Sequence, residues 1–295
     1  VPLSLIGSGP NGGDVDWTKR FFAKLTERDR GLLNLLYGWG MHYYCGTAGK
    51  GDAIDFTVGD WYELLGKALH MESLLTRHWG AMAEIDARHR VKLIVDEWGA
   101  WHRPGTEVAR SHLFGQTSTL RDALISALTL DIFNRHADKV AMANVAQLIN
   151  NLHSLFLATE DKFVTTPNYH VFEMYAAHHH GTSVRAEFQA PTVSASGDAR
   201  LPGLSGSASM HDRKLVLTVV NPSTDKGAET TVSTKGTRIA SATGRVLTAS
   251  DIHAHNTFEQ PNAVASQPVQ VRVQEGAVTH TFPAASVTCL EIELS

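Results

Sequence analysis

The sequence predicts an α/β fold over residues 1–185 followed by an all-β sandwich of jelly-roll-like type over residues 186–295. In the first region short apolar runs alternate with long amphipathic runs, which is typical of a parallel sheet whose strands are joined by helices. In the second region the β-branched runs are short, they are separated by Gly, Pro, Asn and Asp, and no helical periodicity remains. The chain has 295 residues, 43% of them hydrophobic, which is enough to bury a large core.

Four strand–helix units follow one another in the first region. The predicted strands are 2–6, 36–44, 91–95 and the start of 139–150, and the predicted helices are 16–29, 60–86, 119–136 and 168–179. Four units cannot close a barrel of eight strands, and nothing precedes the first strand to cover its edge in an open sheet. The region is therefore either a small doubly wound sheet or the second half of a (β/α)8 barrel.

The bulk composition excludes two classes of partner. The net charge is −4, from 26 Lys+Arg against 30 Asp+Glu, and no basic run stands out, so we expect no nucleic-acid partner. The apolar stretches are too short to span a bilayer, so we expect no membrane association. Cys45 and Cys289 lie far apart in sequence and are predicted to be free thiols, which favours a reducing, cytoplasmic location.

The stretch LIVDEWGAWH, residues 93–102, combines carboxylates with indoles at the end of an apolar strand. Side chains alternate along a strand, so Asp96 and Glu97 should point to opposite sides and only one should face a pocket. Trp98 and Trp101 flank them, and aromatic rings beside a carboxylate are typical of sugar sites, because sugars have apolar faces and polar edges. The simpler alternative is an acid that caps the next helix.

Polar and aromatic side chains also end the neighbouring predicted strands. MHYY (41–44) brings His42 and Tyr44, and NVAQLIN (144–150) brings Asn144 and Gln147. Each residue alone is better explained by packing or capping. Because the carboxyl ends of parallel strands meet at one edge, three such ends in succession predict one shared site.

Two further motifs are better explained by structure than by chemistry. GSGPNG (7–12) matches a dinucleotide-binding pattern, but Pro10 interrupts the turn and no acidic residue follows the next strand, so we interpret it as a strand–helix loop. Consecutive histidines on a helix point in different directions, so HHH (178–180) is interpreted as a solvated helix end rather than a metal site. We therefore predict no metal and no organic cofactor.

Taken in order, these segments resemble the α-L-arabinofuranosidases of glycoside hydrolase family 51 across almost the whole chain. LIVDEWGAWH is similar to the nucleophile strand of that family, the seventh of its barrel. LIGSGPNGGDVDWTKRFF resembles the fifth strand and its helix, MHYY the end of the sixth strand, MANVAQLINNLHSLF the eighth, and VFEMYAAHHHGTSV the closing helix. LTVVNPS, HAHNTFEQPNAV and PAASVTCLEIEL are similar to the family's C-terminal sandwich.

The resemblance implies a retaining glycosidase acting on arabinofuranosyl-containing saccharides. Glu97 would be its nucleophile, and Tyr44 and Gln147 would be its sugar-contacting tyrosine and glutamine. A hydrogen bond from Tyr44 would also keep Glu97 ionised and oriented. His42, Trp98 and Trp101 are the further candidates for substrate binding.

One departure from the family pattern concerns the general acid/base, which is the Glu of an Asn-Glu pair on the fourth barrel strand. The sequence contains no Asn-Glu pair and starts at what resembles the fifth strand. The resemblance therefore implies a complementary N-terminal barrel half that carries the acid/base, in a homo-oligomeric enzyme. A non-catalytic carbohydrate-binding or assembly subunit and a related barrel endoglucanase remain as alternatives.

Overall fold

The first region forms a four-stranded parallel sheet. The computed structural model of the protein describes residues 3–45, 49–109, 111–194 and 200–295. The strands of this sheet are β1 (Leu5–Gly7), β2 (Leu36–Tyr44), β3 (Lys92–Gly99) and β4 (Val140–Val145). They lie in the order β1-β2-β3-β4, and each neighbouring pair is parallel. The sequence predicts β2 to the residue, whereas β3 continues past the predicted end at residue 95 through the carboxylates.

Helices connect these strands as the amphipathic runs predict. They are α1 (Val15–Arg28), α2 (Val58–Ala83), α3 (Leu120–Arg135) and α4 (Pro167–Tyr175), with 3₁₀ turns at Arg30–Leu35 and Ala176–His178. Thr57 and Asp60 form a capping box at the start of α2. Helix α3 is buried along almost its whole length, because it lies between the sheet and the sandwich. No helix among the described residues is long and apolar enough to cross a membrane.

A short hairpin that the sequence does not predict follows β4. Its strands are β5 (Phe156–Thr159) and β6 (Lys162–Thr165), which pair antiparallel. Each strand has only four residues, so the alternation is too short to distinguish from a loop. The hairpin lies between the end of β4 and α4, and it therefore belongs to the connection that follows the candidate site.

The second region consists of two antiparallel sheets. Their strands are β7 (Thr182–Val184), β8 (Ser205–His211), β9 (Lys214–Asn221), β10 (Ala228–Val232), β11 (Ile239–Leu247), β12 (Gln267–Val269), β13 (Arg272–Gln274), β14 (Ala277–Phe282) and β15 (Ser286–Leu294). One sheet has the order β12-β11-β15-β9-β8-β7 and the other β10-β14-β13. Strand β7 already pairs with β8, so the β region begins at Thr182, a few residues before the boundary predicted at 186.

The two β-sheets enclose a core of their own. Val219 on β9 and Leu290 on β15 pack with Val278 and Phe282 of β14, and all four side chains are buried. Period-two alternation along these strands places the apolar side chains between the sheets. This arrangement is the β-sandwich that the sequence predicts.

Buried polar groups join the sandwich to α3. Ser207 and Thr218 each donate a hydrogen bond of 2.7 Å to Oδ1 of Asp131, and His178 Nδ1 lies 2.8 Å from Ser209 Oγ. Burial raises the pKa of Asp131 to about 6. Burial, with repulsion from His211 and His179, lowers the pKa of His178 to about 4.

The position of His178 corrects the interpretation of HHH as a wholly solvated helix end. His178 is buried in the junction with the sandwich, whereas His179 and His180 are exposed. Among the residues that the structure describes, no group of three His, Cys, Asp or Glu side chains is arranged to hold a metal ion.

Sandwich loops also hold the start of α3 and the loop before α2. The Leu120 amide donates to Ala254 O at 2.9 Å, and His253 Nε2 lies 2.8 Å from Phe56 O. Trp61 of α2 donates from its indole to Pro222 O at 2.9 Å. Loops of the sandwich therefore hydrogen-bond to the starts of α2 and α3, the helices that follow β2 and β3 in the chain.

Candidate active site

The two carboxylates of β3 lie on the same side of the sheet, which corrects the alternation rule applied to the sequence. The pairing of β2 with β3 runs from Met41 opposite Val95 to His42 opposite Glu97, so Asp96 is the extra residue of a bulge. As a result, one imidazole faces both acids. His42 Nε2 lies 3.4 Å from Asp96 Oδ1, and His42 Nδ1 lies 3.4 Å from Glu97 Oε2.

Glycines make room for this cluster. A Cβ on Gly40 would lie 2.9 Å from Asp96 Oδ2, so a larger residue there would displace that carboxylate from its present position. A Cβ on Gly9 would lie 1.7 Å from the carbonyl oxygen of Gly40, so the 7–12 loop also needs glycine to reach β2. The loop then holds the backbone of His42, because Gly12 N donates to His42 O at 2.7 Å and His42 N donates to Pro10 O at 3.2 Å. Packing thus accounts for Gly7 and Gly9, and a φ of +71° accounts for Gly12.

Tyr44 and Glu97 form the central contact of the site. The Tyr44 hydroxyl donates to Glu97 Oε2 at 2.7 Å, while the Glu97 side chain stays 39% exposed. Burial, and then the hydrogen bond to Glu97, raise the pKa of Tyr44 well above its usual value, so the phenol keeps its proton and remains a donor. One carboxylate oxygen, Oε2, is therefore held by Tyr44 in a side chain that stays partly exposed.

The two indoles that flank the carboxylates have different environments. Trp98 is 1% exposed and packs on Phe133 of α3 and Phe172 of α4, with ring centroids 5.5 Å and 6.0 Å away. The structure therefore places Trp98 in the core behind the sheet and does not bring it to the site. Trp101 lies on the other side, where its ring meets that of Tyr44 edge to face at 5.4 Å.

The turn after Trp98 depends on a histidine that sequence reasoning missed. Gly99 has a φ of +143°, and a Cβ there would lie 2.6 Å from Cβ of His153. His153 Nδ1 accepts a hydrogen bond from Ala100 N at 3.2 Å, and its Nε2 donates to Ser126 Oγ at 2.8 Å. The backbone reversal between the two indoles is thus fixed by a buried imidazole from the segment after β4.

Gln116 and His102 hold the backbone on both sides of Trp101. The Gln116 amide accepts from His102 N at 2.8 Å and donates to Ala100 O at 3.0 Å. His102 Nε2 then donates to Asp122 Oδ1 at 2.8 Å. All three supporting side chains are buried, so the position of Trp101 is tied to the first turn of α3.

Asp122 is the buried charge of this support. Burial alone would raise its pKa, but the His102 imidazole, with His153 behind it, more than offsets burial and holds the pKa of Asp122 well below its usual value. Oδ2 accepts from the amide and hydroxyl of Thr119. The sequence signal for Asp122 was its place three residues after Thr119, at the start of a predicted helix.

Asn144 lies near the end of β4 and Gln147 lies two residues beyond it, and both are exposed. The Gln147 amide N donates to Leu152 O at 2.7 Å, which fixes its backbone. No hydrogen bond among the described residues ties the Gln147 side chain to Glu97 or Tyr44. Both residues thus stand at the expected strand end with exposed side chains.

The family model and the relatives above 30% identity point to one family. The sequence matches the family model of the alpha-L-arabinofuranosidase C-terminal domain over residues 96–286. An intracellular exo-alpha-L-arabinofuranosidase of Bacteroides ovatus is 34% identical over 298 residues, covering 99% of this chain and 56% of that protein. The crystal structure of the GH51 arabinofuranosidase from Xanthomonas axonopodis pv. citri has a TM-score of 0.90 at 33% identity, covering 98% of this chain and 58% of that one.

A more distant structure shows the same fold. The alpha-L-arabinofuranosidase from Thermotoga maritima, solved as an arabinose complex, has a TM-score of 0.78 at 24% identity and covers 99% of this chain. The chain spans 56% of the Bacteroides ovatus relative's length and 58% of both crystallised chains.

Proposed function

The chain belongs to the α-L-arabinofuranosidases of glycoside hydrolase family 51, corresponding to their C-terminal portion, and we propose that it supplies the nucleophile of a retaining active site. The proposed reaction releases terminal α-L-arabinofuranosyl residues from arabinose-containing polysaccharides or oligosaccharides. The observation that carries this proposal is the Tyr44–Glu97 hydrogen bond at the open end of β3, beside the ring of Trp101.

In the first step, Oε1 of Glu97 attacks the anomeric carbon while the bond from that carbon to the leaving oxygen breaks. The leaving oxygen takes a proton from a second carboxyl group. Tyr44 stays bound to Oε2, which keeps the nucleophile ionised and in one orientation. Water, deprotonated by the second carboxylate, then hydrolyses the glycosyl–Glu97 ester, and the sugar leaves with retained configuration.

The second carboxyl group comes, in this proposal, from a complementary N-terminal half of the barrel. The sequential parallel order β1-β2-β3-β4 supports a barrel segment, because a doubly wound sheet reverses its strand order. Both outer strands expose apolar side chains, with Leu5 and Met142 each 44% exposed. A retaining mechanism needs the second carboxyl group about 5–5.5 Å from Glu97, and four further strands would complete the ring around that position.

We assign three further side chains to substrate binding and leave one of the candidates out. His42 faces both carboxylates and can donate to a sugar hydroxyl, and Gln147 can reach the sugar from the end of β4. Trp101 offers a ring surface to the sugar. Trp98 is left out, because it is buried among the helices.

The proposed chemistry uses two carboxyl groups and water, and it involves no metal or organic cofactor. Both cysteines are free and buried, which fits a reducing compartment and supports a cytoplasmic enzyme. We further propose that the sandwich contributes to a homo-oligomer interface.

The test is to trap the covalent intermediate in the active enzyme that contains this chain. A slow arabinofuranosyl substrate that accumulates the glycosyl-enzyme should add one sugar mass to the peptide that includes Glu97, as measured by mass spectrometry after proteolysis. The Glu97→Gln variant should show no labelled peptide. A label on another carboxylate, Asp96 included, would contradict the assignment, and saccharide binding with no turnover would favour a non-catalytic subunit.

A further inference from the structure

Three aromatic rings form a row that leads outward from Glu97. The row consists of Tyr44, Trp101 and Phe114. The Tyr44 and Trp101 centroids are 5.4 Å apart at an interplanar angle of 70°, and those of Trp101 and Phe114 are 5.2 Å apart at 78°. Phe114 is 53% exposed, and its neighbour Leu113 is 75% exposed. The row thus begins at Tyr44, which hydrogen-bonds to Glu97, and ends at the exposed ring of Phe114.

The backbone of Phe114 has a conformation that is unfavourable for a residue with a side chain. Its φ is +60°, in the left-handed region that residues with a Cβ adopt only rarely. The flanking turn is tied by hydrogen bonds from Leu113 N to Ser111 O at 3.2 Å and from Gly115 N to His112 O at 3.1 Å. Two residues after Phe114, the buried Gln116 side chain hydrogen-bonds to the backbone of Ala100 and His102, on either side of Trp101. The loop that presents Phe114 is therefore built from the same support that positions Trp101.

The position of the ring argues against a packing role. A phenylalanine that served the core of this chain would be buried. Phe114 is exposed in the connection after the inner strand β3, at the end of the strand that carries Glu97, and not on the outer strands β1 and β4 that a complementary half would contact. Sugar rings present apolar C–H faces that pack on aromatic rings, while their hydroxyls remain hydrated. Because successive rings of the row meet edge to face, they do not stack into one closed block, and Phe114 keeps surface for a ligand.

We infer that Phe114, with Leu113, is a platform for the leaving-group side of a saccharide chain, one unit further from the cleaved bond than Trp101. This inference rests on the proposed function and deepens it. The terminal arabinofuranosyl unit occupies the position beside Glu97 and Tyr44, Trp101 contacts the next unit, and Phe114 contacts the unit after that. The substrate class is therefore an oligosaccharide or polysaccharide chain, in preference to a small arabinofuranoside.

The experiment compares Phe114→Ala with the unmodified active enzyme on two substrates. One is an aryl α-L-arabinofuranoside, whose leaving group ends before Phe114, and the other is a series of α-linked arabino-oligosaccharides of increasing length. The ratio of kcat/KM on the longer oligosaccharides to kcat/KM on the aryl substrate should fall about tenfold, through KM, as expected for one lost stacking contact. Phe114→Tyr keeps a ring and should restore the ratio.

Phe163→Ala is the matched control, because Phe163 is also an exposed phenyl group but its ring meets Phe156 on the β5–β6 hairpin. That variant should leave the ratio unchanged. The inference is overturned by an unchanged ratio in Phe114→Ala, by equal losses on both substrates, or by the same fall in the control. If the unmodified enzyme does not cleave the aryl substrate at all, the proposed function itself fails, and the inference fails with it.

Discussion

The parallel sheet and the β-sandwich differ in how completely they cover their apolar surface. In the sandwich, Val219 and Leu290 are buried between two sheets that both come from this chain. In the parallel sheet only the central strands β2 and β3 are well covered, while β1 and β4 expose Leu5 and Met142. The sandwich therefore buries its apolar side chains with strands of this chain alone, whereas the outer strands of the parallel sheet leave apolar side chains exposed.

The parallel sheet and the sandwich also differ in how completely their carboxylates are enclosed. Buried carboxylates of the sandwich junction accept hydrogen bonds from neighbouring hydroxyls, as Asp131 does from Ser207 and Thr218. At the end of β3 the carboxylate of Glu97 is half-exposed and bound on one oxygen. A carboxylate that is oriented but not enclosed can react, so the chemistry is expected at the open sheet and the mechanical role in the sandwich.

The largest expected effect comes from removing the nucleophile. Glu97→Ala in the active enzyme should lower kcat on an aryl arabinofuranoside by about 10⁴- to 10⁶-fold, because the covalent step is lost. Added azide should restore cleavage as the glycosyl azide of inverted configuration, detected by NMR. Asp96→Asn, one residue away, should cost far less, and appreciable activity of Glu97→Ala would show that another group attacks.

A smaller but still large effect is expected from the buried support of Trp101. Asp122→Ala leaves the buried donors of His102 and Thr119 without their acceptor, which should cost about 1–3 kcal/mol of stability for each orphaned donor. Chemical unfolding monitored by near-UV CD measures this loss. Gln116→Ala keeps the His102–Asp122 hydrogen bond and should lose less stability, while the tryptophan fluorescence shifts towards that of a more solvated indole. Equal losses in both variants would show that this hydrogen bond is not the main support of Trp101.

Several parts of the fold and of the candidate site could be predicted from the sequence, and others could not. Strand β2 and the placement of Glu97 at a strand end follow from local periodicity and from the alternation of strands with helices. The bulge at Asp96 does not, because it depends on how β3 pairs with β2. Nor does the partnership of His153 with Ala100, because their contact joins residues 53 apart in the chain.

The two indoles show that sequence-based prediction fails even for residues close together in the chain. Trp98 and Trp101 are three residues apart and look equivalent in the sequence. The Gly99 turn at a φ of +143° sends them to opposite environments, and what demands that turn is the approach of His153. Composition therefore identifies an aromatic site, but only tertiary contacts decide which ring faces it.

The pH dependence of stability separates the junction from the open site. His178 has a folded pKa of about 4 against 6.5 unfolded, so the unfolded state binds more protons between these values, and stability falls as pH drops from about 6.5 to 4. For Asp131 the folded pKa, about 6, lies above the unfolded 3.8, so its contribution has the opposite sign and stability rises as pH falls through 6.

The measurement is the unfolding midpoint in urea between pH 7.5 and pH 4.5. His178→Gln should lose less stability on acidification than the unmodified protein, by up to about 3 kcal/mol. Asp131→Asn should lose more, because it removes the compensating group. Identical acid profiles in the two variants would show that these groups do not control the junction.

The smallest effect is expected on the exposed face of the sandwich. Thr231→Ala on β10 replaces an exposed side chain far along the chain from the β2 and β3 ends, so kcat and KM should stay within about twofold of the unmodified values. Analytical ultracentrifugation of the same variant checks assembly. A selective fall in kcat with assembly intact would place chemistry in the sandwich and remove the distinction between the two regions.

The central claim is that this chain carries the nucleophile and that a complementary barrel half carries the acid/base. The most direct measurement is the hydrolysis rate of an aryl α-L-arabinofuranoside by residues 1–295 alone, by a separately expressed N-terminal half, and by their mixture. We predict turnover in the mixture only, and its loss when the chain carries Glu97→Ala. Turnover by residues 1–295 alone, as a cooperatively folded monomer, would contradict the claim.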